Sequence, residues 1–384
     1  MTGLLVHEWI SASGGSENVL EAMGRAFPDA DIQCLWNDAP QRFPDRTVRE
    51  TWLARTKLRD HKALALPFTV GTWRGLPAPR DYDWMLVSSH LFAHHARLSG
   101  QDVPKYVYAH TPARYIWNPE LDVRGGGLAV RAVSPLFRRI DRRRAQEAVA
   151  VAANSAFVRD RIAEAWQREA TVIHPPVAVD RILSKNDWRA EVADEAERRR
   201  LDELPETFVL GASRFIPYKR LDLVISAAEK AGLPAVITGR GPEEQHLQDI
   251  AAAARVPVHI VVSPSDELLY ALMQLAAVFV FPAVEDFGIV PVEAQATGTP
   301  VVTGPIGGQV ETFENGVSGV VADSTDAGDL ASAIERAIAL APFDPQKATR
   351  PFDEQSFRSN IASFITQPSG EHRAQQGERE TKHG

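Results

Sequence analysis

The sequence predicts an α/β protein of two similar-sized domains, each built on a parallel sheet. Three observations carry this. The chain has 384 residues, more than one hydrophobic core usually supports. Short apolar runs of strand length alternate with helical patterns through both halves, and each run ends at a polar or glycine-rich cluster. Near the middle, Pro175-Pro176 closes a strand and cannot continue as helix, so the chain divides there.

In the first domain, 1–174, Leu4-Leu5-Val6 reads as a strand, Gly14-Gly15 as a loop and Asn18 to Phe27 as a helix. Ile32 to Trp36 is strand-like and holds the single cysteine, Cys34, read as a small buried apolar residue. Met85-Leu86-Val87, Tyr106-Val107-Tyr108 and Thr171-Val172-Ile173 are further strands. In the second domain, 175–351, Asp187 to Arg200 is charged and helical. The strands Phe208-Val209-Leu210, Ala235-Val236-Ile237, His259-Ile260-Val261, Val278 to Phe281 and Val301-Val302 follow. Residues 367–384 have almost no large apolar side chains and are expected to be disordered.

Composition excludes several function classes. Hydrophobic residues make up 44% and charged residues 24%, ordinary for a soluble globular chain. A net charge of −8 argues against general nucleic-acid binding. One cysteine forms no intrachain disulfide and fits a reducing cytoplasm. The first residues run directly into a strand, with no signal-peptide pattern. No apolar run approaches the roughly 20 residues that span a bilayer, so any membrane contact is expected to be peripheral.

The chemistry concentrates in Glu285 to Val302. Glu285 and Glu293 are separated by seven residues, with Phe287-Gly288-Ile289 between them. A strand precedes this stretch, and a helix and another strand follow. Ligands bind where loops leave the carboxyl ends of parallel strands. Two acceptor-only carboxylates there suit a ligand rich in hydroxyls, and Gly288 allows backbone to approach it. Arg214 and Lys219 follow the strand Phe208-Val209-Leu210. Cations at that position can neutralise a diphosphate as a bond to it breaks.

The Glu-x7-Glu spacing resembles the signature of retaining glycosyltransferases of family four. ASRFIPYKR (Ala212 to Arg220) is similar to that family's phosphate-binding segment, and TGRGPE (Thr238 to Glu243) to its GxGPE turn. HEWISASGGSENVL (His7 to Leu20) and YAHTPARYIW (Tyr108 to Trp117) resemble its WbaZ-like, GDP-mannose-dependent branch. The similarity runs from about residue 4 to about residue 360. It implies the GT-B fold, two Rossmann-like domains facing across a central cleft, with the helix 352–364 returning to the first domain. It also implies that Arg214 and Lys219 hold the donor phosphates, Glu285 the donor sugar and Glu293 the ribose. Phe287, Gly288 and Ile289 would offer backbone contacts, with Gly239 and Gly241 in the donor-binding turn.

Other positions are weighed from the residues. Gly14 and Gly15, after the first strand, let N–H groups face a phosphate. Ser16 reads equally as a helix cap or a ligand contact. His110 ends a strand and, by the resemblance, lies beside the donor sugar. Arg114 and His90 are weaker candidates for acceptor contact. Asp81-Tyr82-Asp83 matches a metal-binding DxD pattern but precedes a strand, so a solvated turn is expected. No metal or cofactor is expected beyond the nucleotide-sugar co-substrate. Arg131, Arg138, Arg139, Arg142, Arg143 and Arg144, interleaved with Leu136, Phe137 and Ile140, read either as a membrane or lipid-diphosphate contact or as an ordinary solvated helix face. The expected function is transfer of a hexose, mannose by resemblance, to a glycan, lipid-linked or small-molecule acceptor. The rivals are a sugar-nucleotide epimerase of similar fold and a catalytically silent nucleotide-sugar-binding protein.

Overall fold

The computed structural model describes residues 1–117 and 128–366. The chain forms two compact units. The first comprises Met1–Pro176 and the chain from Glu354 onward, the second Val177–Asp353.

The first unit is a sheet of seven parallel strands: β1 Gly3–His7, β2 Asp31–Cys34, β3 Val48–Glu50, β4 Trp84–Ser89, β5 Lys105–Ala109, β6 Ala150–Ala153 and β7 Thr171–Val172. Their spatial order is β3-β2-β1-β4-β5-β6-β7. Helices cover both faces, so the central strands are buried at every position rather than at alternate ones. The pleat still sorts the side chains. Leu4, Val6, Met85, Val87 and Val107 enter one core, whereas Leu5, Ile32, Leu86, Tyr106 and Tyr108 enter the other. Cys34 is buried in the second of these, and burial pushes its thiol well above the ordinary range.

The second unit repeats the plan with six parallel strands: β8 Val209–Ala212, β9 Ala235–Gly239, β10 Val258–Val262, β11 Val278–Phe281, β12 Val301–Thr303 and β13 Gly319–Val321, in the order β10-β9-β8-β11-β12-β13. Leu210, Val236, Phe279 and Phe281 face one core, and Val209, Ile237, Val278 and Val280 the other. In both sheets the chain winds outward from the first strand and then back past it. Such a doubly wound order opens a crevice at the carboxyl ends where the direction reverses. These points lie between β1 and β4, and between β8 and β11.

Three elements differ from expectation. The first helix begins at Gly15, with Gly14 as its N-cap residue, rather than at Asn18. Ser16 therefore lies inside the helix and does not cap it; its hydroxyl donates to Glu17 instead. The charged stretch after Asp187 is two short helices, Trp188–Glu191 and Glu195–Asp202. The side chain of Asp194 accepts from the N–H groups of Ala196 and Glu197, starting a new helix where continuity was expected. Finally, Arg350–Phe352 is a separate 3-10 turn, and the terminal helix is Glu354–Thr366. The tail 367–384 lies outside the described residues.

Candidate functional site

The loops leaving β8 and β11 meet at the second unit's reversal point. Lys219 sits in a 3-10 turn, Pro217–Lys219, and Glu285 lies four residues beyond the end of β11. Their side chains form an ion pair, with only 10% and 16% of each exposed. The Lys219 ammonium also lies 5.4 Å from the Phe281 ring centroid. The structure thus joins two residues that the sequence assigned to separate parts of a ligand. Arg214 lies in the same loop but is exposed, its guanidinium donating to the Tyr218 hydroxyl at 3.0 Å. Arg220 is exposed and forms an ion pair with Asp222.

Gly239 and Gly241 shape this loop by close approach. A Cβ on Gly239 would lie 1.8 Å from the Ser213 carbonyl oxygen, and one on Gly241 2.4 Å from that of Phe215. Their absence lets the turns after β8 and β9 hydrogen-bond, Ser213 N to Thr238 O and Phe215 N to Arg240 O. Both glycines are explained by holding the Arg214–Lys219 loop in place.

A segment that sequence reasoning missed supports Glu285. Gln309 is fully buried, and its Oε1 accepts from Glu285 N at 3.1 Å while Gly308 N donates to Glu285 O at 2.7 Å. Gly288 is the N-cap residue of helix Ile289–Ala296 at φ 111, and a Cβ there would lie 2.7 Å from that of Gln309. The signal available in the sequence was Gly307-Gly308 in the loop that follows a strand, β12. Phe287 is buried against Phe352.

Glu293 occupies different surroundings. It lies in the middle of the eight-residue helix. Burial, reinforced by Asp266 and opposed by Arg181, pushes its carboxyl up to about 7. The expectation of an always ionised acceptor is therefore corrected: near neutral pH the unliganded group is about half protonated. The folded state holds a proton that the unfolded chain releases above about 4.5, so Glu293 removes stability as pH rises from about 4.5 to about 7. Glu293→Gln is expected to raise the melting temperature at pH 8, by about 3 kcal/mol of stability, with little effect at pH 4. It should also weaken nucleotide binding. Thermal melts at the two pH values check this, and equal shifts at both would contradict it.

At the first unit's reversal point, His7 ends β1, Ser88 is near the end of β4, and His110 directly follows β5. The Ser88 hydroxyl hydrogen-bonds His7 Nδ1 at 3.0 Å and His110 Nε2 at 2.8 Å. Burial, with His90 and His7, pushes His110 well below the usual imidazole range. Burial and His90 likewise bring His7 down to about 4, against the pull of Glu8 and Glu17. His90 packs its ring on Trp9, with centroids 4.9 Å apart. Glu8 is fully buried and accepts from the N–H groups of Leu91 and Ala93, both at 2.8 Å, fixing the loop after β4. Beside Gly14 and Gly15, the Glu17 carboxylate folds back to accept from Ser11 N at 3.1 Å. A Cβ on Gly14 would lie 2.1 Å from Glu17 Oε2, so an internal carboxylate stands beside the glycine loop. Arg114 begins the short helix Arg114–Trp117.

Asp81 and Asp83 are at the other end of β4 and serve the fold. Asp83 Oδ2 accepts from Thr2 N at 2.6 Å, and Asp81 Oδ1 accepts from Gln101. The basic helix, Leu128–Ala145, is also more structural than a free arginine face. Arg138 donates to Ile116 O, Arg142 to Ala165 O, and Arg144 pairs with Glu147. Arg139 and Arg143 are exposed, as is Leu136; the side chain of Arg131 lies outside the described residues. Among the described residues, no helix is long and apolar enough to cross a membrane.

Sequence spacing did not reveal two clusters, His7-Glu8-His90 and His94-His95-Asp141, each with ligand atoms within 4.8 Å of one another. In both, the carboxylate is already taken by N–H donors. Asp141 Oδ2 accepts from Trp117 Nε1 at 2.8 Å and Trp166 Nε1 at 2.7 Å, while Oδ1 lies 3.0 Å from His95 Nε2 and 3.1 Å from His94 Nε2. Burial opposes ionisation of Asp141, yet the two histidines hold it well below the usual carboxylate range.

Comparison with known proteins agrees with this arrangement in both units. Residues 13–181 match the family described as Glycosyltransferase Family 4, and residues 193–350 match Glycosyl transferases group 1. The chain belongs to the family-four glycosyltransferases. Within this family it is similar to a GDP-mannose-dependent alpha-(1-6)-phosphatidylinositol monomannoside mannosyltransferase of Mycolicibacterium smegmatis, 34% identical over 56% of this chain and 58% of that protein. It is also similar to a D-inositol 3-phosphate glycosyltransferase of Geodermatophilus obscurus, 31% identical over 52% and 46% of the two chains. The matches thus span about half of the lengths of these curated relatives. Among solved structures, Anabaena HepE in complex with UDP shares the fold, with a TM-score of 0.69 and 20% identity over 95% of this chain and all of that one. WaaG, a glycosyltransferase involved in lipopolysaccharide biosynthesis, does so with a TM-score of 0.60 and 15% identity, over 95% of this chain and 100% of its own. The fold of this family-four glycosyltransferase is GT-B, with two Rossmann-like domains.

Proposed function

We propose that the protein transfers a hexose from a nucleotide-diphosphate sugar to an acceptor hydroxyl, with mannose from GDP-mannose as the preferred donor. The observation that carries this is the Lys219–Glu285 pair at the reversal point of the second unit, with Arg214 in the same loop. A paired cation and carboxylate suit a ligand that joins an anionic diphosphate to a sugar. Lys219 and Arg214 would take the phosphate oxygens as charge develops on the leaving group. Glu285, released from Lys219, would accept sugar hydroxyls, and Glu293 those of the ribose. His110 would meet a sugar or acceptor hydroxyl.

The mannose preference rests on the mannosyltransferase named above, and the inositol glycosyltransferase among the relatives keeps other donors in the test. The acceptor is a glycan, a lipid-linked sugar or a small polyol. Transfer is expected to retain the donor's α configuration, with a donor phosphate oxygen taking the acceptor proton. Cations do the neutralising that a divalent metal does elsewhere, so activity should survive a chelator. Loss with EDTA and rescue by manganese would contradict this.

The deciding experiment incubates the protein with a panel of nucleotide sugars, with and without candidate acceptors. Acceptor-dependent release of nucleoside diphosphate, greatest with GDP-mannose, is the expected result. An altered nucleotide sugar formed without acceptor would show an epimerase, and stabilisation without turnover would show a binding protein.

A further inference from the structure

We infer that the first unit docks on an anionic lipid bilayer through the outer face of the helix Lys62–Trp73 and the 3-10 turn Trp52–Arg55 beside it. In the helix, Ala65, Thr69 and Trp73 recur at a spacing of four and are buried, so they fix the side that faces the core. The opposite side of a surface helix is ordinarily polar. Here it carries Leu64, Pro67, Phe68 and Gly71, all exposed. Leu64 is 63% exposed and Phe68 49%. Trp52 is 52% exposed, and its ring meets that of Phe68 edge-on with centroids 6.3 Å apart. The one polar atom of the indole is spent inside the protein, where Nε1 donates to Thr72 Oγ1 at 3.0 Å. Scattered exposed apolar residues need no explanation, but Trp52, Leu64 and Phe68 form one hydrocarbon ridge.

Charge points to what covers this ridge. Residues 52–62 hold Arg55, Lys57, Arg59 and Lys62 against one acid, Asp60, in a chain of net charge −8. Arg59 is engaged by Asp38. Arg55 and Lys57 are exposed and, among the described residues, make no ion pair. Arg55 follows Trp52 by one turn of 3-10 helix, in which side chains three apart eclipse, so cation and indole share a side. Apolar side chains flanked by such cations match the layers of a bilayer surface, acyl chains beneath lipid phosphates. Neither anchor is strong alone, so docking is expected to be reversible and to need both.

This surface is distinct from the helix Leu128–Ala145, where packing engages three of the arginines. It also adjoins the crevice of the first unit. Lys62, in the first turn of the docking helix, lies 4.3 Å from the Trp9 ring centroid. Trp9 is two residues beyond β1 and packs against Trp36 and His90. A bilayer held here would present lipid-borne hydroxyls beside the carboxyl ends of β1 and β4. Of the acceptor classes proposed above, the lipid-linked one fits; that step rests on the proposed transfer, whereas docking itself does not.

Flotation of the full chain with lipid vesicles, without nucleotide sugar, tests this. Binding is expected to phosphatidylcholine vesicles that contain phosphatidylglycerol, not to phosphatidylcholine alone, and should weaken as salt rises. Leu64→Ser with Phe68→Ser, and separately Arg55→Glu with Lys57→Glu, should each weaken binding about 10-fold or more. Both pairs are on the surface, so melting temperatures should change little. Leu136→Ser with Arg143→Glu, on the other helix, should bind as the wild type does. No binding of the wild type to anionic vesicles overturns the inference, as does equal binding to phosphatidylcholine alone. So does loss of binding in the Leu136 and Arg143 variant while the other two bind normally. A wild-type dimer that Leu64→Ser with Phe68→Ser breaks, with no vesicle binding, would assign the ridge to a second copy of the chain instead.

Discussion

Lys219→Ala is expected to lower turnover by about 100-fold or more, the loss seen when a donor aimed at developing charge is removed. The ion pair sharpens the expectation. Glu285 would lose its partner while remaining only 16% exposed on its side chain, and a carboxylate left unpaired at a low-dielectric site is destabilised. The variant therefore loses the proposed phosphate cation and also a fixed orientation for Glu285. Lys219→Arg keeps the charge but spreads it over a planar fork, so it should retain more activity than alanine without restoring the wild-type rate. Arg214→Ala removes a more exposed cation and should act mainly on turnover, with a smaller change in melting temperature. Steady-state rates at saturating donor, measured with melting temperatures, separate these effects. Near-normal turnover in both alanine variants would sink the phosphate assignment.

The largest expected loss of stability is at Asp141. Its carboxylate collects the indole N–H groups of Trp117 and Trp166 and the imidazole of His95, all from different parts of the first unit. Alanine would leave these donors buried without an acceptor. Breaking such a network by removing one partner costs about 3–5 kcal/mol, or roughly 10 °C for a unit of this size. Asp141→Asn should also destabilise, because its amide group would turn N–H toward N–H on one side. Thermal or urea unfolding of the full chain checks this. A shift of only a degree or two in the alanine variant would show that the donors find other partners.

The fold was legible because both sheets are covered on both faces. Leu4-Leu5-Val6 and Val278 to Phe281 are continuous apolar runs, and the structure places all of them within strands. Capping was harder to read. Asp194 breaks an otherwise helical charged stretch through one side chain, and Gly14 starts a helix three residues before the first apolar periodicity. At the site, the residues after β8 and β11 could be named, because strand ends announce themselves. Their pairing could not, since Lys219 and Glu285 are 66 residues apart and meet only through the order of the strands. The histidine chain was hidden for the same reason. His7, Ser88 and His110 share no spacing, and adjacency of β1, β4 and β5 is a property of topology. The arginines of Leu128–Ala145 show the opposite failure, where composition suggested a free basic surface and packing engages three of them.

The helix Glu354–Thr366 has a consequence for the order of events during synthesis. It places Phe357, Ile361 and Phe364 into the core that also holds Leu5 and Tyr108, and Glu354 grips Arg25 through a two-pronged ion pair. Most of the first unit emerges from the ribosome before the second, yet part of its interior is encoded after the second. The second unit is a contiguous stretch and has all its own residues while the first is still waiting. The nascent first sheet must therefore hold part of one apolar face uncovered until the second unit has been made. A stop codon before Glu354 would leave the second unit whole and the first permanently unfinished. Limited proteolysis of such a truncated chain should cut the first unit and spare the second.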